Sequence, residues 1–344
     1  MVSGELLFAY DILLVDLYGV IWSGACAFPK ALAALEELNA AGKKVVILSN
    51  ASSVSSEIIK KYDGESLRAG THFTNFVTSG DVMRDAILNG ELAFANGKNS
   101  KKYFIFGLSN DAIFAGSSVE RTEDLDGADF VYVSIPRFSD EEREAMPDAM
   151  RKHLYVAWTN GGDRTWDSTS IEPYIPSLKI FLEKGKPLAI ANPDKFAVCS
   201  VLPSQDAAEY VTMPIAKQGL IAEAYAAMGG EVFATGKPFP QIYGYALEKL
   251  AKTTGEGFDD IHKKRIAMVG DTIDTDILGA KNASAALHCS IEGILVLTGI
   301  SAESISRDAA GKFATAAMDE LFSTKGVTPT HVISALDLEA DVYF

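Results

Sequence analysis

Short apolar runs that each end in a small or acidic polar residue constrain this chain more than any other feature. Residues 12–15 run into Asp16, residues 45–48 into Ser49, and residues 266–269 into Gly270 and Asp271. Runs this short, without polar alternation, suit strands covered on both faces, as in a parallel sheet flanked by helices. Between the first two, residues 30–41 carry Leu32, Leu35 and Leu38 at helical spacing and stop at Gly42, which completes a strand–helix–strand unit. From about Val82 the pattern is less regular. It predicts strands at 130–134, 154–158 and 188–191, a solvated helix face in SDEEREAMPDAMRK, and a loop in NGGDRTWDSTS. After residue 215 the alternation returns. A helix over 218–228 ends at Gly229-Gly230, a strand follows at 232–234, and Pro240 opens a helix carrying Ile242, Ala246 and Leu250. Further strands are expected at 266–269 and 294–297. The predicted fold class is α/β, with a doubly wound parallel-sheet core of residues 1–81 and 215–344. An inserted α/β domain at 82–214 interrupts it.

A chain of 344 residues suits two domains. The 46 acidic against 31 basic residues give a net charge of -15. That balance argues against general affinity for nucleic acid or an anionic membrane. Any positive charge needed for an anionic ligand must then be local. Cys26, Cys199 and Cys289 stand apart with no CxxC pair, which suits a reducing compartment. The start, MVSGELLFAYDILLVD, has no basic segment before a long apolar one, and no run of about 18 apolar residues follows anywhere. A cytoplasmic protein without nucleic-acid or membrane partners is expected.

The chemistry gathers at the strand ends. In an open parallel sheet ligands bind beyond the carboxyl ends of the strands, so Asp16, Ser49 and Asp271 can converge although far apart in sequence. One such Asp is equally well a helix cap; several together are harder to read that way. GDTIDTDILGA (270–280) places three carboxylates within six residues after a buried strand. An oxygen-only set of this kind suits Mg2+, and the bland alternative is a helix start decorated with acids. An EF-hand does not fit, because Leu278 occupies a ligand position. Lys237 lies in TGKPFP, where Glu231 and Pro238 break the phosphate-loop pattern. No GxSxG elbow or HExxH helix occurs, and the five histidines are scattered.

Taken in order, DLYGV (16–20), ILSNAS (47–52), GKP (236–238) and GDTIDTDILGA (270–280) resemble the four motifs of the haloacid dehalogenase superfamily. The resemblance is to its class IIA, NagD-like or nitrophenylphosphatase-type branch. FVTSGD (76–81) and IANPDK (190–195) also look like that branch. The resemblance covers nearly the whole chain. It implies a Mg2+-dependent phosphatase acting on a small phosphorylated metabolite. Asp16 would be the nucleophile, and Ser49 and Asn50 would bind phosphoryl oxygens together with Lys237. Lys237 would also neutralise the nucleophile and the phosphate. Asp16, Asp271 and the backbone carbonyl of Tyr18 would hold Mg2+, with Asp276 supporting the site and Asp274 a surface acid. A homodimer through the inserted domain is a further expectation from the resemblance.

Tyr18 is the departure. Phosphatases of the family carry a second aspartate there, which protonates the leaving oxygen and later activates water. A phenol, with an ordinary pKa of about 10, does neither readily at neutral pH, and such assistance is worth roughly 10²–10⁴-fold. DxYG also resembles the 2-haloacid dehalogenases, but those insert their cap between the first and second motifs. Here Asp16 and Ser49 lie 33 positions apart, and Ser49 and Lys237 lie 188 apart. That spacing favours the phosphatase with Tyr18 as an altered catalytic residue. The alternatives are a catalytically silent phosphate-binding or regulatory protein, and a halide-displacing enzyme.

Overall fold

The computed structural model describes residues 2–24, 26–62, 67–92, 94, 100–108, 111–134, 136–158, 162–202, 211–308 and 311–343. The chain divides into two units, the first comprising residues 1–49, 55–78 and 236–344 and the second residues 50–54 and 79–235.

The first unit is built on a six-stranded sheet in which every neighbouring pair is parallel. From one edge to the other the strands are His331–Ile333, Ile291–Val296, Ile266–Gly270, Ile12–Val15, Lys44–Ser49 and Asn75–Thr78. The chain starts in the middle, fills one side, and returns to fill the other. The order therefore reverses between Ile12–Val15 and Ile266–Gly270, which pair from Ile12 with Ile266 to Val15 with Val269. All four residues of the first strand and all five of the second are buried. Full burial of each Leu, Ile or Val contributes about 1.5–3 kcal/mol, which explains why no polar residue alternates into these strands. Helix Pro29–Ala40 presses Ala31, Ala34, Leu35 and Leu38 onto one face, with Leu32 half-buried beside them. Helix Pro240–Thr254 buries Ile242, Ala246 and Leu250 and stops at Gly255 in the left-handed conformation.

The second unit has its own five-stranded parallel sheet. Its order is Val232–Ala234, Leu188–Ile190, Phe130–Val133, Lys102–Phe106 and Glu120–Arg121. Two antiparallel pairs accompany it, Leu154–Trp158 with Arg164–Ser168 and Phe196–Val201 with Val211–Ala216. Sequence reading places residues 215–235 with the first unit; the structure places them here. Val232–Ala234 hydrogen-bonds to Leu188–Ile190, and Ile221 and Tyr225 of helix Gln218–Ala227 pack with Leu188 and Ile190. Both units are strand–helix alternations, so periodicity alone cannot tell which sheet a strand joins. The unit also begins earlier than residue 82, at Ser79, and takes in residues 50–54.

The charged stretch forms helices Asp140–Ala145 and Asp148–Arg151, neither with a buried residue, the first opened by a Ser139–Glu142 capping box. The segment expected as a loop contains the strand Arg164–Ser168, whose Trp166 is buried and donates to Asp140 Oδ1 at 2.8 Å. Among the described residues no helix is long and apolar enough to cross a membrane.

Candidate active site

At the reversal in the first sheet, two neighbouring strands deliver Asp16 and Asp271 to the same end. Asp16 N–H donates to Val269 O at 2.9 Å, so the next strand fixes the loop from its first residue. Asp276 arrives from the turn Ile273–Ile277, which is wound one residue wider than an α-helix. Such turns recur at functional sites because they re-aim a side chain. Thr272 N–H donates to Asp276 Oδ2 at 3.1 Å, which holds the carboxylate inward. Asp16, Asp271 and Asp276 each offer an oxygen within 4.8 Å of the others.

Lys237 answers this charge. Its Nζ donates to Asp16 Oδ1 at 2.6 Å and to the carbonyl of Leu48 at 2.8 Å, and lies 2.8 Å from Asp276 Oδ1. Its side chain is only 2% exposed, against 13% for Asp16. Burial pushes the lysine pKa down, but the two carboxylates outweigh that and hold it above its ordinary value, so it stays charged. Burial lifts the Asp271 carboxyl well above its usual range, with Asp16 and Asp276 adding repulsion. Burial likewise pushes Asp276 up to about 6 against the pull of Lys237.

Close approach around the acids demands glycine at two loops. A Cβ at Gly19, whose φ is +83°, would meet Asp271 Oδ2 at 2.5 Å. At Gly299 it would stand 1.9 Å from the same oxygen.

Comparison with known proteins points to one family. Residues 13–114 match a family model described as haloacid dehalogenase-like hydrolase, and residues 234–333 match a second described as HAD-hydrolase-like. The chain belongs to the haloacid dehalogenase-like hydrolases. Phosphoglycolate phosphatase 2 of Arabidopsis thaliana is 25% identical over 313 residues, covering 88% of this chain and 87% of its own. A possible sugar phosphatase of this superfamily from Cytophaga hutchinsonii superimposes with a TM-score of 0.64 at 17% identity, covering 98% of this chain and 97% of that one. A glycerol phosphate phosphatase from Mycobacterium tuberculosis in complex with magnesium gives a TM-score of 0.55 at 19% identity, covering 98% and 79%.

In this hydrolase the sequence-selected residues Asp16, Ser49, Lys237, Asp271 and Asp276 all lie in the first unit. Ser49 ends its strand, buried, in register with Thr78. Asn50 belongs to the second unit, where its amide donates to Asp194 Oδ1 at 2.8 Å and its carbonyl accepts from Ser79 Oγ at 3.2 Å. Asp274 is half-exposed and pairs with Lys325, a surface acid as expected. Tyr18 is 42% exposed, and its hydroxyl lies 2.5 Å from that of the buried Tyr62, whose ring packs on Trp22 at 4.7 Å.

Sequence reading missed the loop after Ile291–Val296. Ile300 N–H donates to Asp271 Oδ2 at 2.7 Å, and Thr298 Oγ1 donates to Gly19 O at 2.5 Å. The signal was present in Thr298-Gly299, another polar, glycine-bearing end to an apolar strand.

The donor set, three carboxylates partly neutralised by one lysine, fits a hard divalent cation with oxygen ligands. Metal binding is therefore expected to be pH-dependent. Folding raises Asp276 from 3.8 to about 6, so the metal-free fold carries no penalty from this acid below about pH 4 and the whole penalty above about pH 6. Mg2+ takes the ionised carboxylates, and protons compete with it at low pH. A hundredfold excess over Kd stabilises by about 2.7 kcal/mol. Thermal melts with and without Mg2+ should show a clear gain at pH 7.5 and little at pH 5; an equal gain at both would contradict this electrostatic account.

Lys237→Met gives the complementary result. Removing the cation from a buried pair leaves uncompensated carboxylates and costs about 3–5 kcal/mol. In metal-free denaturant titrations the variant should lose that much, and Mg2+ should restore a larger share than it adds to the parent. Unchanged stability would mean that the lysine does not neutralise the cluster.

Proposed function

We propose that this hydrolase is a Mg2+-dependent phosphatase that cleaves a small phosphate monoester through an aspartyl-phosphate on Asp16. One observation carries the reading. Asp16 is the least buried of three clustered acids, and a buried lysine fixes its orientation at 2.6 Å. A carboxylate so held and still reachable is placed to act as a nucleophile. The named activities of the relatives support phosphate esters as the substrate class.

Mg2+ held by Asp16, Asp271 and the Tyr18 carbonyl, with Asp276 behind, would supply the positive charge that lets two anions meet. Asp16 then attacks phosphorus through the carboxylate oxygen not bonded to Lys237. A P–O bond forms to the aspartate as the bond to the leaving oxygen breaks. Lys237 and the Ser49 hydroxyl would hold the phosphoryl oxygens in line, and Lys237 offsets charge that develops on them. Water next attacks the acyl phosphate, releasing inorganic phosphate and the free Asp16 carboxylate. Tyr18 offers no carboxylic acid to the leaving oxygen, so esters with good leaving groups react best. A homodimer through the second unit belongs to the same reading, and a monomer by light scattering would remove it.

Phosphate release from nitrophenyl phosphate and from a sugar phosphate, with Mg2+ or a chelator, tests the proposal. Metal-dependent turnover that favours the aryl ester is expected. Equal rates on both esters would sink the leaving-group argument. Binding of phosphate without turnover would make the protein a silent binder, and metal-independent halide release from a 2-haloacid would replace phosphatase chemistry altogether.

A further inference from the structure

Among its described residues the first unit exposes four large apolar side chains: Val2 at 50%, Tyr18 at 42%, Phe239 at 37% and Ile300 at 45%. Single apolar residues on a surface are ordinary and need no explanation. Three of these four, however, stand beside the catalytic groups. Tyr18 follows Asp16 by two residues, Phe239 follows Lys237 by two, and Ile300 donates its backbone N–H to Asp271.

Their loops are tied down. Thr298 Oγ1 joins the Ile300 loop to Gly19. Phe239 N–H closes a turn on Gly236 O at 2.8 Å, and Asn282 Nδ2 donates to Pro238 O at 3.2 Å. The Tyr18 hydroxyl is held by that of Tyr62, while the residue as a whole stays exposed. Apolar surface held open on fixed loops beside a phosphate-binding centre is suited to contact whatever the phosphate is attached to.

We infer that Tyr18, Phe239 and Ile300 form an apolar rim that receives the organic part of the substrate. The rim selects phosphate esters with an aromatic or similarly broad apolar group over small polyhydroxylated ones. This rests on the phosphatase reading and names the substrate class for it. Contact and chemistry point the same way, since an aryl oxygen departs without the proton that Tyr18 does not readily supply. Hydroxyl-rich esters would set polar groups against the Phe239 and Ile300 side chains, which cannot pair with them.

Phosphonates separate contact from leaving ability, because their P–C bond is not cleaved. Calorimetric titration of the Mg2+-loaded full chain should show phenylphosphonate binding about tenfold more tightly than methylphosphonate, from the apolar area covered. A Phe239→Ser, Ile300→Ser double variant changes two exposed side chains. It should cut the ratio of phenylphosphonate to methylphosphonate affinity to about threefold or less. Equal affinities in the parent protein overturn the inference, as does a preference undiminished in the double variant. Failure to bind either phosphonate removes the phosphate site, and the rim's role with it. The expected preference without turnover of any ester would leave the rim standing and overturn the hydrolytic reading alone.

Discussion

Asp16→Asn should leave a folded protein whose phosphatase turnover falls by roughly 10⁴-fold or more, as expected for loss of a covalent nucleophile. The amide keeps an oxygen where Lys237 donates at 2.6 Å, so the bond that orients the side chain survives in weaker, uncharged form. The substitution also removes one of three neighbouring negative charges. Asp271 and Asp276 are both pushed up in part by Asp16, so that repulsion falls. Without metal, the variant should melt no lower than the parent, and its gain from added Mg2+ should be smaller. Phosphate-release assays and paired melts check both halves. Retention of more than about a hundredth of the parent rate would mean that another group attacks phosphorus.

Tyr18→Asp is the opposite experiment, expected to create activity. A carboxyl group two residues after Asp16, the proposed nucleophile, would supply the missing acid, and assistance of that kind contributes roughly 10²–10⁴-fold. A rise of roughly 10²-fold is expected on an alkyl phosphate, where the leaving oxygen must be protonated, and little change on nitrophenyl phosphate. The substitution gives up the hydrogen bond to Tyr62 and one wall of the rim, at about 1 kcal/mol for the former. The phenyl preference in phosphonate binding should fall with it. If alkyl turnover does not rise, the low rate expected there has a cause other than the acid.

Much of this was legible in the strand ends. Strands buried on both faces must be apolar throughout, so Ile12–Val15 and Ile266–Gly270 announce themselves, and Asp16 and Asp271 mark where they stop. The core helices were readable for the same reason, through spacing such as Ile242, Ala246 and Leu250. Strand Arg164–Ser168 was hidden because it carries an arginine, an aspartate and two hydroxyl residues, and its burial comes from antiparallel pairing with Leu154–Trp158. The allegiance of Val232–Ala234 was hidden for another reason. Hydrogen bonding to Leu188–Ile190 decides it, and no local property of three residues records the partner. Similarly, the Leu48 carbonyl that accepts from Lys237 is a backbone atom with no sequence signature. Tyr62 has one only in hindsight, since nothing marks a tyrosine 44 positions away as the partner of Tyr18.

The bond between Lys237 and Asp16 spans 221 positions. On a ribosome adding about 5–20 residues per second, roughly 10–40 s pass between synthesis of Asp16 and arrival of the lysine that bonds to it. Throughout that interval Asp16 has neither Asp271 nor Asp276 beside it, so it needs no counter-charge. The second unit, which ends at Thr235, is complete in sequence just before Lys237 appears. Lysine and remaining acids then emerge within a span of 40 residues, from Lys237 to Asp276. Repulsion and its remedy are made almost together. A nascent chain is thereby spared a long-lived, half-built cluster of like charges, and any truncation before Lys237 is expected to be chemically inert.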